Sequence, residues 1–351
     1  MSQRPRTILV TGSGGPLGVN VTRSLRAANR GWTLVGTDCN HYHIPLSLTD
    51  HTELIAPARK RAEYYADIHR LVALYDIDMI LATHPVEVRA ISEHRDELPA
   101  GVTVFLPKHD TIHRAQNKWL TYQTMRDGGV PVPETRLIET RDDLQRCFDD
   151  IERRPVWVRG AGVPGIGVGV ASLPCRDVAT AAAWIDHYRG WGGFIASEFL
   201  PGRNLTWCGV YSDGALLVCQ GRERLEYVIP HVSPSGITGA PAVSKTITEQ
   251  RLLDIGDAAV RSIDAQPNGV FFVDLKEAPD GSARVTEING GRFGTTIHFY
   301  TEAGFNFPEL LVDAAFGRLP EARPVVDPIA PSTYWIRTLD CGPVLVRDLD
   351  K

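Results

Sequence analysis

Residues 269–296 constrain the fold of this chain more than any other stretch. Two apolar segments, rich in β-branched and aromatic residues, flank the run Pro279-Asp280-Gly281, which is typical of a tight turn because glycine tolerates a positive φ. If Asp280 and Gly281 centre the turn and no bulge intervenes, Asp274 lies opposite Glu287. The sequence therefore predicts a β-hairpin on which two carboxylates face each other.

Asn289 is predicted to lie on the same face of the hairpin as Glu287, because side chains two residues apart in a strand share a face. Two facing carboxylates repel unless a cation lies between them, and a carboxamide adds a third hard oxygen. Ligands that are all oxygen, on a rigid hairpin, favour Mg²⁺. The alternative is an exposed hairpin edge with scattered acids, but both acids interrupt apolar strands, which argues against it.

The composition is that of an ordinary globular protein, and it excludes several partners. Of the 351 residues, 43% are hydrophobic and 23% are charged, and the net charge of −5 argues against nucleic acid or an anionic membrane as the partner. No apolar run approaches the roughly 20 residues that a membrane span needs. The six cysteines form no C-x-x-C pair, which fits reduced thiols. We therefore expect a cytoplasmic protein without a nucleic-acid or membrane partner.

The first 110 residues have the outline of a small parallel α/β domain. A short apolar strand leads into the run G-S-G-G-P-L-G at residues 12–18, a helical pattern follows, and the next strand ends at Asp38. This order of strand, glycine-rich turn, helix, strand and acid is also the outline of a dinucleotide-binding unit. On its own the pattern predicts NAD binding, although many parallel α/β domains carry such a turn for packing alone.

The hairpin carries a family resemblance in its second strand and the residues that follow, E-I-N-G-G-R-F-G-T-T at residues 287–296. This run resembles the metal-binding strands of the ATP-grasp enzymes, and its pattern is most similar to the carbamoyl-phosphate synthetase large subunit and related carboxylate–amine ligases. The resemblance implies that Asp274, Glu287 and Asn289 hold Mg²⁺ against the phosphates of ATP. The usual run is E-I-N-P-R, so Arg292 lies one residue later than expected, and its role on a phosphate or on a substrate carboxylate stays open.

Two further stretches resemble the phosphate-binding parts of that family. The pattern N-K-W-L-T-Y, followed by G-V-P-V-P, is similar to the entry of an ATP-grasp domain, where the residue that matches Lys118 reaches the nucleotide phosphates. Arg159 ends an apolar strand and precedes a glycine-rich loop that includes Gly165 and Gly167, which resembles the phosphate-covering loop. Most members have lysine at the Arg159 position, and the carbamoyl-phosphate synthetases have arginine. The alternatives are a solvated lysine and a glycine loop without a ligand.

The segment F-I-A-S-E-F-L-P-G at residues 194–202 resembles the hinge between the two ATP-grasp subdomains. The resemblance implies that backbone groups near Glu198, Phe199 and Leu200 bind the adenine edge. The family usually has an acid a few residues later for the ribose hydroxyls, and this chain has Asn204 there, or Leu205 if it is aligned to the synthetases. An amide bonds a hydroxyl more weakly than a carboxylate does, so we expect reduced nucleotide affinity or a substitute acid.

The resemblance also gives the N-terminal domain a different role, since ATP-grasp enzymes commonly begin with a Rossmann-like domain whose turns help to bind the acceptor substrate. It implies that Ser13, Gly14 and Glu87 are candidates for substrate contact, because Glu87 follows a predicted strand at the carboxyl edge of the sheet. Arg224 is a further candidate for a phosphate or a substrate carboxylate. The alternatives are a helix cap, a surface acid and a surface charge.

The predicted fold is therefore a combination of α/β and α+β units. Residues 1–110 form a Rossmann-like pre-ATP-grasp domain, residues 111–318 form a two-subdomain ATP-grasp domain with its hinge near 196–202, and residues 319–351 stay unassigned. The implied function is an ATP- and Mg²⁺-dependent carboxylate–amine ligase that forms an acyl phosphate from a small polar or amino-acid substrate, with Arg159 and Arg292 as catalytic residues. The resemblance also allows a homodimer. The alternatives are an NAD-dependent oxidoreductase and a non-catalytic ATP-binding protein.

Overall fold

The computed structural model describes residues 5–162, 171–232, 235–236, 239–338 and 343–347. Within these ranges the chain builds three sheets: an N-terminal parallel sheet, a small antiparallel sheet and a large, mainly antiparallel sheet. This mixture of α/β and α+β units confirms the predicted fold class. None of the helices in the described ranges is at once long and apolar enough to cross a membrane.

The N-terminal sheet has five parallel strands in the order β3-β2-β1-β4-β5. Its strands are β1 (Thr7–Thr11), β2 (Thr33–Asp38), β3 (His51–Leu54), β4 (Met79–Leu81) and β5 (Thr103–Val104), and its helices are α1 (Pro16–Ala27), α2 (Arg61–Tyr75) and α3 (Pro85–Glu93). The central strands β1 and β4 are fully buried, as expected for a parallel sheet covered on both faces. The carboxyl ends of β1, β2 and β4 form one edge of this sheet.

The glycine-rich turn between β1 and α1 is closely packed by the chain itself. A side chain at Gly14 would overlap the carbonyl oxygen of His43, and one at Gly18 would overlap the carbonyl oxygen of Gly12. These two glycines are therefore required by the close approach of backbone to backbone. The packing interpretation of the turn accounts for its glycines without a dinucleotide.

The small sheet has four antiparallel strands in the order β6-β9-β7-β8. Its elements are β6 (Thr135–Ile138), α6 (Arg141–Asp150), β7 (Val156–Gly160), β8 (Leu173–Cys175), α7 (Val178–His187) and β9 (Phe194–Glu198). Both helices pack on one face of the sheet around a core that includes Phe148 and Phe194. The other face of the small sheet faces the hairpin that carries Asp274 and Glu287.

The large sheet has the order β14-β13-β10-β11-β12-β16-β17, and β15 pairs with β11. Its strands are β10 (Asn204–Ser212), β11 (Ala215–Tyr227), β12 (Pro241–Ile247), β13 (Gly269–Glu277), β14 (Ala283–Gly290), β15 (Val325–Val326), β16 (Thr333–Arg337) and β17 (Pro343–Arg347). Three of these strands belong to the tail that the sequence left unassigned. The tail therefore extends the large sheet, beyond β12, on the side opposite the hairpin.

The hairpin of β13 and β14 has the predicted pairing at the site but a different turn. Asp274 pairs with Glu287 and Phe272 with Asn289, as predicted. The prediction of a two-residue turn without a bulge was wrong, because Pro279, Asp280 and Gly281 form a three-residue loop, with Gly281 at a φ of +81°. A bulge at Thr286 then shifts the register by one residue and restores the predicted pairing.

The two faces of the large sheet pack against different partners. On one face, α8 (Gln250–Ile263) covers a core that contains Trp207 and Phe271. On the other face, Cys208 and Phe272 share a core with the N-terminal domain and with α10 (Phe307–Ala315). Because side chains alternate along a strand, consecutive residues of β10 and β13 point to opposite faces. The site lies on the second face, beside the N-terminal domain.

Candidate functional site

Five polar side chains form a row across the second face of the large sheet. Asp274 pairs with Glu287 on one side and with Thr206 on the other, and Thr206 pairs in turn with Arg222, which pairs with Thr246. Paired residues in neighbouring strands project to the same face of a sheet. The row therefore places the Thr206 hydroxyl beside Asp274 and the Arg222 guanidinium one strand further from the two carboxylates.

Glu287 lies between two cations that come from outside the large sheet. Its Oε1 is 3.6 Å from Lys118 Nζ, and its Oε2 is 3.4 Å from Arg159 Nη1. Burial alone would raise the pKa of Glu287, but the charges of Lys118, Arg159, Arg292 and Arg224 outweigh it and lower the pKa to about 2. Glu287 is therefore a carboxylate throughout the physiological pH range.

Asp274 and Asn289 are held by further polar contacts on the same face. Asp274 Oδ2 is 3.4 Å from Arg224 Nη1, and Asp274 Oδ1 accepts a hydrogen bond of 2.8 Å from Thr206. Asn289 Oδ1 accepts a hydrogen bond of 2.7 Å from Arg292. The structure thus brings the three predicted metal-binding residues and the four predicted cationic residues into one cluster.

The charge balance of this cluster fits an anionic ligand that carries a metal ion. Among the described residues, Lys118, Arg159, Arg224 and Arg292 contact two carboxylates, Asp274 and Glu287, and one carboxamide, Asn289. In the described residues, no three His, Cys, Asp or Glu side chains group closely enough to hold a metal by themselves. The available oxygen set is therefore two carboxylates and one carboxamide, which suits an Mg²⁺ ion that completes its shell with phosphate oxygens and water.

Lys118 reaches the cluster because a helix begins at that residue. α4 (His109–Gln116) ends before Asn117, and α5 (Lys118–Asp127) begins after it. The side-chain oxygen of Asn117 accepts hydrogen bonds from the amides of Trp119 and Leu120, which caps α5. The Lys118 amide donates to Ala161, so the start of α5 is tied to the end of the Arg159 strand.

The loop that follows Arg159 is described only as far as Gly162. Gly162 has a φ of +84°, and a side chain there would collide with the carbonyl oxygen of Gln116 at 2.5 Å. Gly165 and Gly167, the predicted phosphate-binding glycines, lie outside the described residues. Arg159 Nη2 also donates to the carbonyl of Thr286, so the small sheet contacts the bulge of the hairpin.

The late position of Arg292 follows from the extra glycine before it. Gly291 has a φ of +79°, and its amide donates to the carbonyl of Val270 at 2.8 Å, so the chain turns there instead of continuing β14. A side chain at Gly291 would lie 2.8 Å from Val88 of the N-terminal domain. The backbone of Arg292 therefore lies beside the N-terminal domain. Burial lowers the pKa of His84 there, and the charge of Arg292 lowers it to a smaller extent.

The predicted hinge joins the small sheet to β10. The amide of Glu198 donates to the carbonyl of Glu134, and its carboxylate pairs with Arg284, so this residue is already engaged. Leu200 is 3% exposed, and Phe199 lies beside Trp157 and Lys276. A cavity between the small sheet and the hairpin lies next to this segment, lined by residues that include Lys118, Arg159, Ser197 and Thr286.

Asn204, which occupies the position of the expected ribose acid, is the first residue of β10 and shares a face with Thr206. It pairs with Arg224 on β11 and with Lys276 on β13. Burial and, to a smaller extent, the charge of Arg224 lower the pKa of Lys276 to about 8, against the opposing effect of Glu277. Asn204 therefore lies between the cationic residues Arg224 and Lys276, whose N–H groups are hydrogen-bond donors.

The N-terminal candidates differ in what they offer a ligand. Ser13 is fully buried, and its hydroxyl interacts with Ser47 and Thr37, while Gly14 is covered by His43. Glu87 lies at the carboxyl edge of the N-terminal sheet, where its carboxylate accepts hydrogen bonds from Thr11 and Tyr64. Burial raises the pKa of Glu87 to about 7; Asp38 also raises it, and the hydrogen bonds lower it. With two hydrogen bonds and a pKa raised by burial, Glu87 is not a solvated surface acid, which was the alternative.

The raised pKa of Glu87 predicts a pH-dependent stability. The pKa of Glu87 in the folded protein, about 7, lies above the ordinary value of 4.5. The contribution of Glu87 to the free energy of unfolding is therefore fully present below about pH 4.5 and is lost as the pH rises through about 7. We expect Glu87→Gln to stabilise the protein at pH 8 relative to wild type, and to do so less at pH 5. Urea unfolding at both pH values measures this difference. Glu63→Gln, at an exposed site of α2, is the control, and an equal pH response of Glu87→Gln and wild type would refute the prediction.

Sequence reasoning missed two polar residues of the cluster, Thr206 and Lys276. Lys276 lies two residues beyond Asp274 in the same strand, so strand alternation alone placed it on the metal face. Thr206 lies two residues beyond Asn204 and could have been found in the same way.

No protein-family model matches the sequence, but solved structures share its fold. An L-amino acid ligase from Bacillus licheniformis is 13% identical, with a TM-score of 0.65, and the match covers 95% of this chain and 79% of that one. A carboxyaminoimidazole ribonucleotide synthase from Aspergillus clavatus, solved with ATP, is 17% identical, with a TM-score of 0.69 and coverage of 95% and 81%.

A biotin carboxylase from Campylobacter jejuni, solved in a β-γ-ATP complex, is 14% identical, with a TM-score of 0.69 and coverage of 94% and 74%. The three matched proteins differ in name, yet each match spans at least 94% of this chain. At identities this low, the matches show a shared fold and nothing about the chemistry. The chemistry has to be argued from the residues of the site. The chain has the ATP-grasp fold.

Proposed function

We propose that this protein is an ATP-dependent carboxylate–amine ligase. The observation that carries the proposal is the convergence of four cations, from the small sheet, from α5 and from the large sheet, on the facing carboxylates of one hairpin. The matched structures include a protein named as an L-amino acid ligase, and two carboxylases and a synthase that were solved with ATP or ADP. A cytoplasmic location and small-molecule acid and amine substrates belong to the same proposal.

Each residue of the cluster has a role in the proposed reaction. Asp274, Glu287 and Asn289 would hold Mg²⁺, which neutralises charge on the phosphates of ATP. Lys118 and Arg159 contact Glu287, and they would bind phosphate oxygens beside the metal ion. The backbone near Phe199 and Leu200 would receive adenine, and Asn204 a ribose hydroxyl.

The proposed reaction has two balanced steps. A substrate carboxylate attacks the γ-phosphorus of ATP, the bond from that phosphorus to the β–γ bridging oxygen breaks, and an acyl phosphate and ADP form. A neutral amine then attacks the acyl carbon and forms the C–N bond. The bond from the acyl carbon to the phosphate oxygen breaks, phosphate leaves with its electron pair, and the amine nitrogen loses one proton. Arg159 and Arg292 would stabilise the negative charge that develops on the transferring phosphoryl and acyl groups.

The glycine turn gives little support to the NAD-dependent alternative. The segment around His43 fills the space above Gly14, and Asp38 accepts hydrogen bonds from the Asn40 amide and interacts with His43. An NAD-dependent reaction also leaves the cationic cluster without a role. A non-catalytic ATP-binding protein is the second candidate, because Asn204 replaces the acid that the ATP-grasp resemblance leads us to expect at the ribose position.

The deciding experiment is phosphate release from Mg-ATP across a panel of amino acids and other small carboxylic acids, each tested singly and in pairs with amines. Release that requires one acid together with one amine supports the ligase and identifies its substrates. If no pair gives release while Mg-ATP still raises the melting temperature, the non-catalytic candidate is favoured. A melting temperature that responds to NADH but not to Mg-ATP would refute both.

A further inference from the structure

The carboxyl edge of the N-terminal sheet holds a carboxylate to which the proposed reaction gives no role. The strand order reverses between β1 and β4, and in open parallel sheets ligands bind outside the carboxyl ends of the strands at such a point. Glu87, in the first turn of α3, reaches this point, where its Oε2 accepts a hydrogen bond of 2.9 Å from Thr11 at the end of β1. Gly12 leaves room for it, because a side chain there would lie 3.3 Å from the same oxygen.

This edge carries negative charge without a basic partner. Asp38 ends β2 near Glu87: burial and, to a smaller extent, the charge of Asp38 raise the pKa of Glu87 to about 7. Among the described residues, neither carboxylate forms an ion pair with a lysine or an arginine, and Asp38 Oδ2 lies 3.3 Å from Nδ1 of the partly exposed His43. Two neighbouring acids without such a partner favour the binding of a cation.

A buried hydroxyl at the same edge also lacks a partner. Thr37 is 0% exposed, and its Oγ1 has no hydrogen-bond partner among the described residues. It pairs with Thr11 across β1 and β2, so both hydroxyls project to the face on which Glu87 lies. An ammonium group has three N–H donors and no acceptor. The Thr37 hydroxyl therefore adds a third acceptor to the two carboxylates of the edge.

The edge is open to solvent and lies against the segment that carries Arg292. Glu87 is partly exposed, and His84 beside it is exposed. A side chain at Gly291 would lie 2.8 Å from Val88, the residue after Glu87, and the charge of Arg292 acts on His84. The acidic edge and the cationic cluster are therefore neighbours, and a substrate that contacts both carries charges of both signs.

We propose that the carboxyl edge of the N-terminal sheet binds the ammonium group of a substrate, with the carboxylates of Glu87 and Asp38 as its acceptors. The proposal rests on the proposed function and narrows its substrates. The ammonium group comes from one of two sources: it is the attacking amine before it loses its proton, or a non-reacting amino group of the acid, which is then an amino acid. In both cases the carboxylate of the acid lies at the cationic cluster.

The first test measures binding without catalysis. Ethylammonium is compared with tetramethylammonium, which has the same charge but no N–H donor, and the melting temperature is recorded at constant ionic strength in the presence of Mg-ATP. We expect ethylammonium to raise it by about 2–3 °C at ten times its dissociation constant, and tetramethylammonium to have no effect. Equal responses to the two cations would overturn the proposal.

The variants for this test are Glu87→Gln and Asp38→Asn, which keep the size of each side chain and remove its charge. Glu87→Gln is expected to stay folded, because it removes the cost of ionising a buried acid. We expect both variants to lose at least half of the ethylammonium response. Glu63→Gln removes an exposed charge from α2, and it should respond as wild type does. A wild-type response in both edge variants would also overturn the proposal.

A kinetic test identifies the source of the ammonium group. With a productive acid and amine, hydroxylamine replaces the amine; it is uncharged at neutral pH and converts the acyl phosphate to a hydroxamate, so this assay reports on the acid alone. We expect Glu87→Gln to raise one KM by about 10- to 100-fold, the range for the loss of a hydrogen bond to a charged group. The edge holds the amine if the KM of the amine rises, and the amino group of the acid if the KM of the acid rises in the hydroxamate assay.

The pH dependence of that KM separates binding from a structural role. Glu87 accepts from an ammonium group only when it is ionised, and its pKa is about 7, so we expect the wild-type KM to be about tenfold higher at pH 6 than at pH 8. In Glu87→Gln this difference should disappear. Burial moves the pKa values of neighbouring groups out of this range, upward for Cys39 and Tyr64 and downward for His84. His43 is present in both proteins, so the comparison isolates Glu87.

Two outcomes separate this proposal from the ligase. If Glu87→Gln changes neither KM while the acid and amine still release phosphate, the proposal fails and the ligase stands. If ethylammonium binds through Glu87 but no pair of acid and amine releases phosphate, the ligase fails, and the edge is an ammonium site that serves another function.

Discussion

Replacing Glu287 by glutamine should lower Mg-ATP-dependent phosphate release by about 100- to 1,000-fold, the range seen when one charge-stabilising group is removed from an active site. The substitution keeps the size of the side chain but removes one of two carboxylates from among four cations. The oxygen set for Mg²⁺ loses a carboxylate whose pKa is about 2. Phosphate release and the Mg²⁺ concentration for half-maximal activity measure the effect.

The control for this substitution is Glu302→Gln. Glu302 is 56% exposed, pairs with His298 on α9, and lies outside the cationic cluster. We expect it to keep wild-type turnover and Mg²⁺ dependence. If Glu287→Gln keeps more than half of the wild-type rate, the hairpin does not hold the metal, and the proposed roles of Asp274 and Asn289 lose their support as well.

The hairpin was predictable because its signals are local. The turn residues and the two apolar strands follow each other within 28 residues, and alternation fixes which side chains share a face. Even here the pairing of Asp274 with Glu287 was obtained for a partly wrong reason. The turn has one residue more than predicted, and the bulge at Thr286 compensates for it. A bulge depends on contacts outside the strand, in this case with Arg159 of the small sheet.

The rest of the site could not be predicted because it depends on the pairing of distant strands. Arg222 and Asp274 belong to one row only because β10 pairs with both β11 and β13 in the sheet. Trp335 lies opposite Ser244 because β16 pairs with β12, although the two residues are about 90 positions apart in the sequence. Likewise, the break before Lys118 depends on a cap by Asn117 that helical periodicity does not reveal. No local pattern contains these contacts.

The largest effect on stability is expected for Trp207→Ala, which should reduce the free energy of unfolding by about 3–5 kcal/mol. Trp207 is 1% exposed and lies between the large sheet and α8. Its ring occupies space left by two glycines, because a side chain at Gly209 or Gly256 would overlap it. Alanine leaves a void that the surrounding sheet and helix cannot close. Urea unfolding measures the loss, and Trp191→Ala, in a more exposed position of the small sheet domain, should cost less.

Thr206 precedes Trp207 in β10 and points to the opposite face, so the pair separates stability from function. Thr206→Val removes the hydrogen bond to Asp274 and should cost only about 1–2 kcal/mol, while it slows phosphate release. Trp207→Ala should behave in the reverse way, with a rate per folded molecule close to that of wild type below its unfolding midpoint. Equal losses of rate in both variants would mean that packing against α8 also positions the carboxylates, and that the two faces are not independent.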